Sequence, residues 1–113
     1  MVNSLKHKIL SSLGLVRKPL ILRVRYFTTE PKLGDSSSRI FKKRLFSDFE
    51  DAIKNNQKLL IDLDGTIGYG HNWLFAVFSQ FVDKYGKKKV LSNIIIKSDE
   101  EPYLIDDILK MIK

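Results

Sequence analysis

The sequence predicts a single α/β domain with a small mixed or parallel central sheet, helices packed on it, and a basic helix ahead of it. Three observations carry this. Short apolar or β-branched runs alternate with amphipathic stretches in the order β-α-β-α-β-α, and strands joined through helices pair in parallel. The length of 113 residues suits one domain with an ordinary core. Hydrophobic residues make up 43% and charged residues 29%, a globular balance that argues against wholesale disorder.

Residues 1–18 are expected to form a basic amphipathic arm, and residues 20–113 the domain proper. In the arm, Leu5, Ile9, Leu10, Leu13 and Val16 recur at helical spacing behind Asn3 or Ser4 as cap, and Gly14 and Pro19 close the segment. Residues 20–29, LILRVRYFTT, are β-branched and aromatic and predict a strand with Ile21, Arg23 and Arg25 on its wetter face. Pro31, Gly34, Asp35 and three serines mark a loop. Phe41, Leu45, Phe49 and Ile53 then fall four apart, a helix stripe ending at Asn55-Asn56, with Lys42, Lys43 and Arg44 on its solvated side.

The run from Leu59 to Leu63 predicts a strand buried on both faces. Asp64–His71, DGTIGYGH, has three glycines and predicts a loop. From Asn72 to about Tyr85, Leu74, Val77, Phe78, Phe81 and Tyr85 define a second helix stopped by Gly86. Val90–Lys97 reads as the third strand. Asp99, Glu100 and Glu101 are expected to open the last helix, with Pro102 in its first turn and Leu104, Ile105, Ile108, Leu109 and Ile112 on its buried side. The expected core includes Leu60, Ile61, Leu63, Val77, Phe81, Ile94, Ile96, Ile105 and Ile108.

Composition narrows the chemistry. Cysteine is absent, which removes disulfide scaffolds, thiolate metal sites and cysteine nucleophiles. With only His7 and His71, a histidine-built metal site is not expected either, and no cofactor is assigned. No apolar run reaches the roughly 20 residues of a membrane span. The net charge of +7 sits largely in Lys6, Lys8, Arg17, Lys18, Arg23 and Arg25, in a stretch without an acid. Such an arm offers weak, salt-dependent contact with nucleic acid, a secondary candidate partner, although no nucleic-acid-binding module is visible. It lacks the long apolar centre and cleavage site of a secretory signal, and its one Arg before Pro19 sets it apart from a mitochondrial presequence. The expected location is cytoplasmic.

Two motifs compete over the same residues. Residues 59–67, LLIDLDGTI, match the first motif of haloacid-dehalogenase-like phosphatases, an apolar strand followed by Asp-x-Asp-Gly-Thr. That resemblance implies Asp62 as nucleophile and Asp64 as acid/base beside Mg²⁺, and two carboxylates so spaced at a strand end suit such chemistry. The rest of that constellation is not completed downstream. Ser98 follows a strand, but Asp106-Asp107, the later acidic pair, lies inside a helical pattern. The alternative is structural: Gly65 supports a turn that Asp64 caps.

Read as a unit, residues 59–78, LLIDLDGTIGYGHNWLFAVF, resemble the signature of STAS domains (sulfate transporter and anti-sigma-factor antagonist). Asp62-Leu63-Asp64-Gly65 matches the Asp-Leu-x-Gly part, and Gly70-His71-Asn72-Trp73-Leu74 falls where Asp-Ser-Ser-Gly-Leu stands in that family. With Ser38-Arg39 ahead of the first helix, the arrangement over roughly residues 20–112 resembles the bacterial STAS-like domain family of unknown function. The resemblance implies a non-catalytic regulatory module in a bacterial regulatory or defence system. Its implied partner is another protein, such as a histidine-kinase-type ATPase, docked on the 64–73 loop and helix start through Gly70, His71, Asn72 and Trp73. In anti-sigma antagonists a serine at this helix start is phosphorylated. Asn72 stands there in this chain, so the phosphorylation switch does not carry over.

Overall fold

A computed structural model of the chain describes residues 17–32 and 36–113. The expected arm helix from Leu5 to Val16 and the Gly34-Asp35 part of the first loop lie outside the described residues. Among the described residues, three strands, β1 (Leu20–Arg23), β2 (Leu59–Asp62) and β3 (Ile94–Lys97), are interspersed with four α-helices: α1 (Ser37–Lys54), α2 (His71–Tyr85), α3 (Lys87–Asn93) and α4 (Tyr103–Ile112). The sheet is wholly parallel, in the order β1-β2-β3. Its register aligns Leu20 with Leu59 and Ile94 at one end, and Arg23 with Asp62 and Lys97 at the other.

The periodic stripes became the core. Phe41, Leu45 and Phe49 on α1 and Val77, Phe78 and Phe81 on α2 are fully buried against Leu22, Leu59 and Ile61. The two helices lie side by side through aromatic contacts, Phe41 tilted on Trp73 at 5.5 Å and Phe49 edge-on to Phe81 at 4.8 Å between ring centres. On α4 the buried positions are Leu104, Ile108 and Ile112, one turn apart. α1 ends at the asparagine pair: Asn56 takes φ 55°, its N–H donates to the Ile53 carbonyl, and the Gln57 N–H reaches back to Ala52 at 2.8 Å. That double closure is the Schellman arrangement, in which a left-handed residue lets the chain fold back over the last turn.

Four expectations are corrected. The first strand stops at Arg23, and Val24–Tyr26 turns into a short 3-10 helix. The third strand begins at Ile94 rather than Val90, because Lys87–Asn93 forms α3 with Val90 buried beneath it. Both strands are trimmed to the four residues that β2 offers as partners. The acids before Pro102 precede α4 instead of opening it, and Pro102 is its cap. Leu60, Ile96 and Ile105 are half-buried rather than core, Ile105 because the buried line of α4 runs through its neighbour Leu104. Among the described residues no helix is long and apolar enough to cross a membrane.

Candidate functional site

In an open parallel sheet the carboxyl ends of the strands are the usual place for a site, since the loops gather there. Here that edge carries the row Arg23–Asp62–Lys97. Asp62 is 6% exposed and its carboxylate accepts from Arg25 Nη1 at 2.9 Å and from the Asp64 N–H at 3.0 Å. Arg23 Nε at 3.8 Å and Lys97 Nζ at 4.0 Å complete its cationic surroundings. The hydrogen bond to Asp62 is the main cause holding the Arg25 guanidinium above its ordinary pKa.

Asp64 faces the other way along the edge. Its carboxylate accepts from Lys97 Nζ at 2.6 Å, from the Glu100 N–H at 2.9 Å and from the Asp99 N–H at 3.2 Å. Burial pushes its pKa up, but these donors outweigh burial and hold it below the ordinary carboxylate value. Lys97 is raised in turn, chiefly by its hydrogen bond to Asp64. Glu100 returns the contact by accepting from the Gly65 N–H at 2.6 Å. The expectation that Asp64 caps its own turn is corrected: its carboxylate caps the turn after β3, because the Asp99 and Glu100 N–H groups point at it.

The loop between β2 and α2 is held at several points. Gly65 takes φ +87°, and a β-carbon there would sit 2.5 Å from Arg25 Cδ, so glycine is what lets Arg25 cross to Asp62. The Ile67 N–H donates to Thr29 O at 2.7 Å and the Gly70 N–H to Pro31 O at 2.8 Å. Tyr69 passes beneath, its hydroxyl donating to Leu63 O at 2.8 Å, with its phenol pKa pushed up by burial. Gly70 then opens α2 in an extended conformation without a side-chain cap.

Of the four residues singled out in this loop, His71 and Asn72 are exposed and Gly70 half-buried, while Trp73 is 1% exposed. The Trp73 indole N–H donates to Ser37 Oγ at 3.1 Å, and its ring packs on Phe41 and Tyr69. It anchors the loop from below and offers no surface. Ile67, 73% exposed, and Phe75, 54% exposed and stacked with His71 at 6.3 Å, are the apolar groups presented around the helix start. Neither was singled out as a contact in the sequence, where Phe75 follows the buried Trp73 and Leu74 and Ile67 stands in a glycine-rich loop. Arg23 and Arg25 were legible as one wetter strand face, but their meeting with Lys97 around Asp62 depends on the parallel register.

The Mg²⁺ implied by the phosphatase motif does not fit these residues. Arg25 and Lys97 occupy the carboxylate oxygens that would ligate it, and among the described residues no three His, Cys, Asp or Glu side chains gather to hold a metal.

The profile of the family described as "STAS-like domain of unknown function" matches residues 42–104, more than half of the chain. The chain belongs to that family. The match runs from α1 through the first turn of α4, so in this STAS-like domain it takes in the Asp62–Gly65 edge, the glycine loop and α2. Ser38-Arg39 lies just ahead of it. No curated protein and no solved structure matches the chain.

Proposed function

We propose that this STAS-like domain is a non-catalytic regulatory module that docks a protein partner through the 64–73 loop and the start of α2. The observation carrying this is the pair of exposed apolar side chains, Ile67 and Phe75, beside His71 and Asn72 on a loop tied down at both ends. A fixed backbone lowers the ordering cost of association, and apolar or aromatic anchors set among polar groups carry most of the energy in such contacts. STAS-like domains generally bind proteins. On that ground the partner is taken to be a histidine-kinase-type ATPase or a protein encoded beside this one, in the bacterial cytoplasm. Supporting a non-catalytic role, Asp62 and Asp64 are engaged by arginine, lysine and backbone donors, which leaves neither poised as a nucleophile.

Capture from native extract tests the reading, with the full chain and an Ile67→Asp/Phe75→Ser variant as baits. Both positions are on the surface, so the variant is expected to melt within about 1 kcal/mol of the parent. A specific ATPase or neighbouring gene product retained by the parent and lost with the variant is the expected result. Equal capture by both baits would place docking elsewhere.

A further inference from the structure

A parallel sheet joined through helices gathers its strand starts and helix ends at one pole, the amino end, opposite the 64–73 loop. Arg17 and Lys18 lead into β1 there, and Lys58 into β2. Lys54, Lys84 and Lys110 stand in the last turns of α1, α2 and α4, and Lys113 follows α4. Lys87, Lys88 and Lys89 open α3. Hydrogen bonds draw these segments together: Arg17 donates to the Asn55 carbonyl, Gln57 Nε2 to Lys18 O at 3.0 Å, and Lys87 Nζ to Lys113 O at 2.7 Å. All ten cations are exposed. The acids within a turn of them on the same helices are half as many, Glu50, Asp51, Asp83, Asp106 and Asp107, and Glu50 accepts from the Tyr85 hydroxyl. Among the described residues none of the ten pairs with a side-chain carboxylate. At the opposite end, by contrast, Arg25 and Lys97 are taken up by Asp62 and Asp64.

Fold stability accounts for part of this charge. Lysines in a last turn complement the helix dipole, which covers Lys54, Lys84 and Lys110. Lys87, Lys88 and Lys89 oppose it: the start of a helix is already positive, and the first turn of α3 holds no acid to offset three more cations. Tyr85 gathers two of the ammonium groups around its ring, Lys84 at 5.6 Å and Lys89 at 5.9 Å from the centre. We propose that this pole binds the phosphate backbone of nucleic acid without regard to base sequence. Its chemistry favours that partner over a membrane surface. None of the exposed large apolar side chains lies in residues 54–58, 84–93 or 110–113, so nothing there is offered for insertion among lipids. Asn55, Asn56 and Ser92 stand exposed between the lysines, with hydrogen-bonding groups of the kind that contact phosphate oxygens. A lysine ammonium is a point charge without the fork of arginine, which suits phosphates and gives no bidentate reading of a base edge.

Fluorescence anisotropy of labelled duplexes of about 20 base pairs, titrated with the full-length chain, tests this. The parent should bind two unrelated sequences equally and weaken about a hundredfold between about 50 and 200 mM salt, as for about four neutralised phosphates. Lys87→Gln/Lys88→Gln/Lys89→Gln should weaken binding roughly tenfold or more at the lower salt and flatten the salt slope by about 2–3. Lys32→Gln/Arg39→Gln/Lys43→Gln removes the same charge from exposed positions on the loop before α1 and its first two turns, and should stay within about threefold of the parent. The α3 variant is expected to melt no lower than the parent, because it relieves the first turn of that helix, so lost binding is not lost folding. Absence of binding at the lower salt would overturn the proposal, as would equal effects of the two variants or a strong preference between sequences. So would binding that falls with Lys6→Gln/Lys8→Gln and not with the α3 variant, or attachment to phosphatidylserine vesicles without any to the duplexes.

Discussion

Replacing Asp64 with alanine removes one carboxylate that serves three donors from another part of the chain. The Glu100 and Asp99 N–H groups lose an acceptor at 2.9 and 3.2 Å, and Lys97 Nζ loses one at 2.6 Å. Each backbone donor is worth about 1 kcal/mol at this partly wet edge, and the pair with Lys97, whose side chain is 40% exposed, adds little beyond that in solvent. The expected loss is about 2–3 kcal/mol at neutral pH, or roughly 10 °C in Tm for a domain of this size. Asp64→Asn keeps one oxygen and should lose about half as much. The effect depends on pH in a fixed direction. The folded-state pKa of Asp64 lies below its ordinary 3.8, so its contribution is complete above that value and lost as pH falls through the lower folded one. Melts of parent and Asp64→Ala followed by circular dichroism should therefore differ most near neutrality and converge as pH falls below 3.8 and through the lower folded-state value. A neutral-pH difference under about 0.5 kcal/mol would refute the assignment of this carboxylate as the clamp between β2 and the turn after β3, as would a difference that persists unchanged in acid.

Gly65→Ala is expected to destabilise by about 2 kcal/mol, because φ +87° strains any β-carbon and the new methyl displaces Arg25 from Asp62; denaturant melts check it. Trp73→Ala should lose about 3–5 kcal/mol, since a ring 1% exposed is deleted together with the donor to Ser37, and the same melts read it out. With Mg²⁺ and a generic phosphomonoester, the parent and Asp62→Asn should release phosphate equally slowly, at the rate of buffer; turnover abolished by that substitution would revive the phosphatase chemistry.

Helix stripes were the most legible part of this fold. Phe41, Leu45 and Phe49, or Leu104 and Ile108, repeat every turn, and burial of such a line needs no knowledge of what lies opposite. Strand ends were less so. Val90–Asn93 is apolar enough to extend a strand, yet a parallel strand persists only where its neighbour does, and β2 has four residues to pair. The same limit turned Val24–Tyr26 out of β1. Leu59–Asp62 read as buried on both faces because apolar composition cannot say on which side the crossover helices fall. At the candidate site, the glycine loop and the helix start were visible as local motifs. The inward turn of Trp73, the outward turn of Ile67 and Phe75, and the convergence of Arg25 and Lys97 on two aspartates are long-range outcomes that no local pattern encodes.

The register has a consequence for how the molecule is made. Leu20 pairs with Leu59, and Leu59 with Ile94, so no strand has a neighbour close in the chain and no hairpin forms early. During synthesis the apolar segment of β1 leaves the ribosome long before β2, and until Leu59–Asp62 arrives it has no backbone partner. The first pairing must close a loop containing all of α1, a slow step compared with forming that helix. β2 then receives one neighbour already waiting and one still to be made. The central strand is thus the event on which assembly turns, and a mutation there should slow folding more than an equally destabilising one in α4.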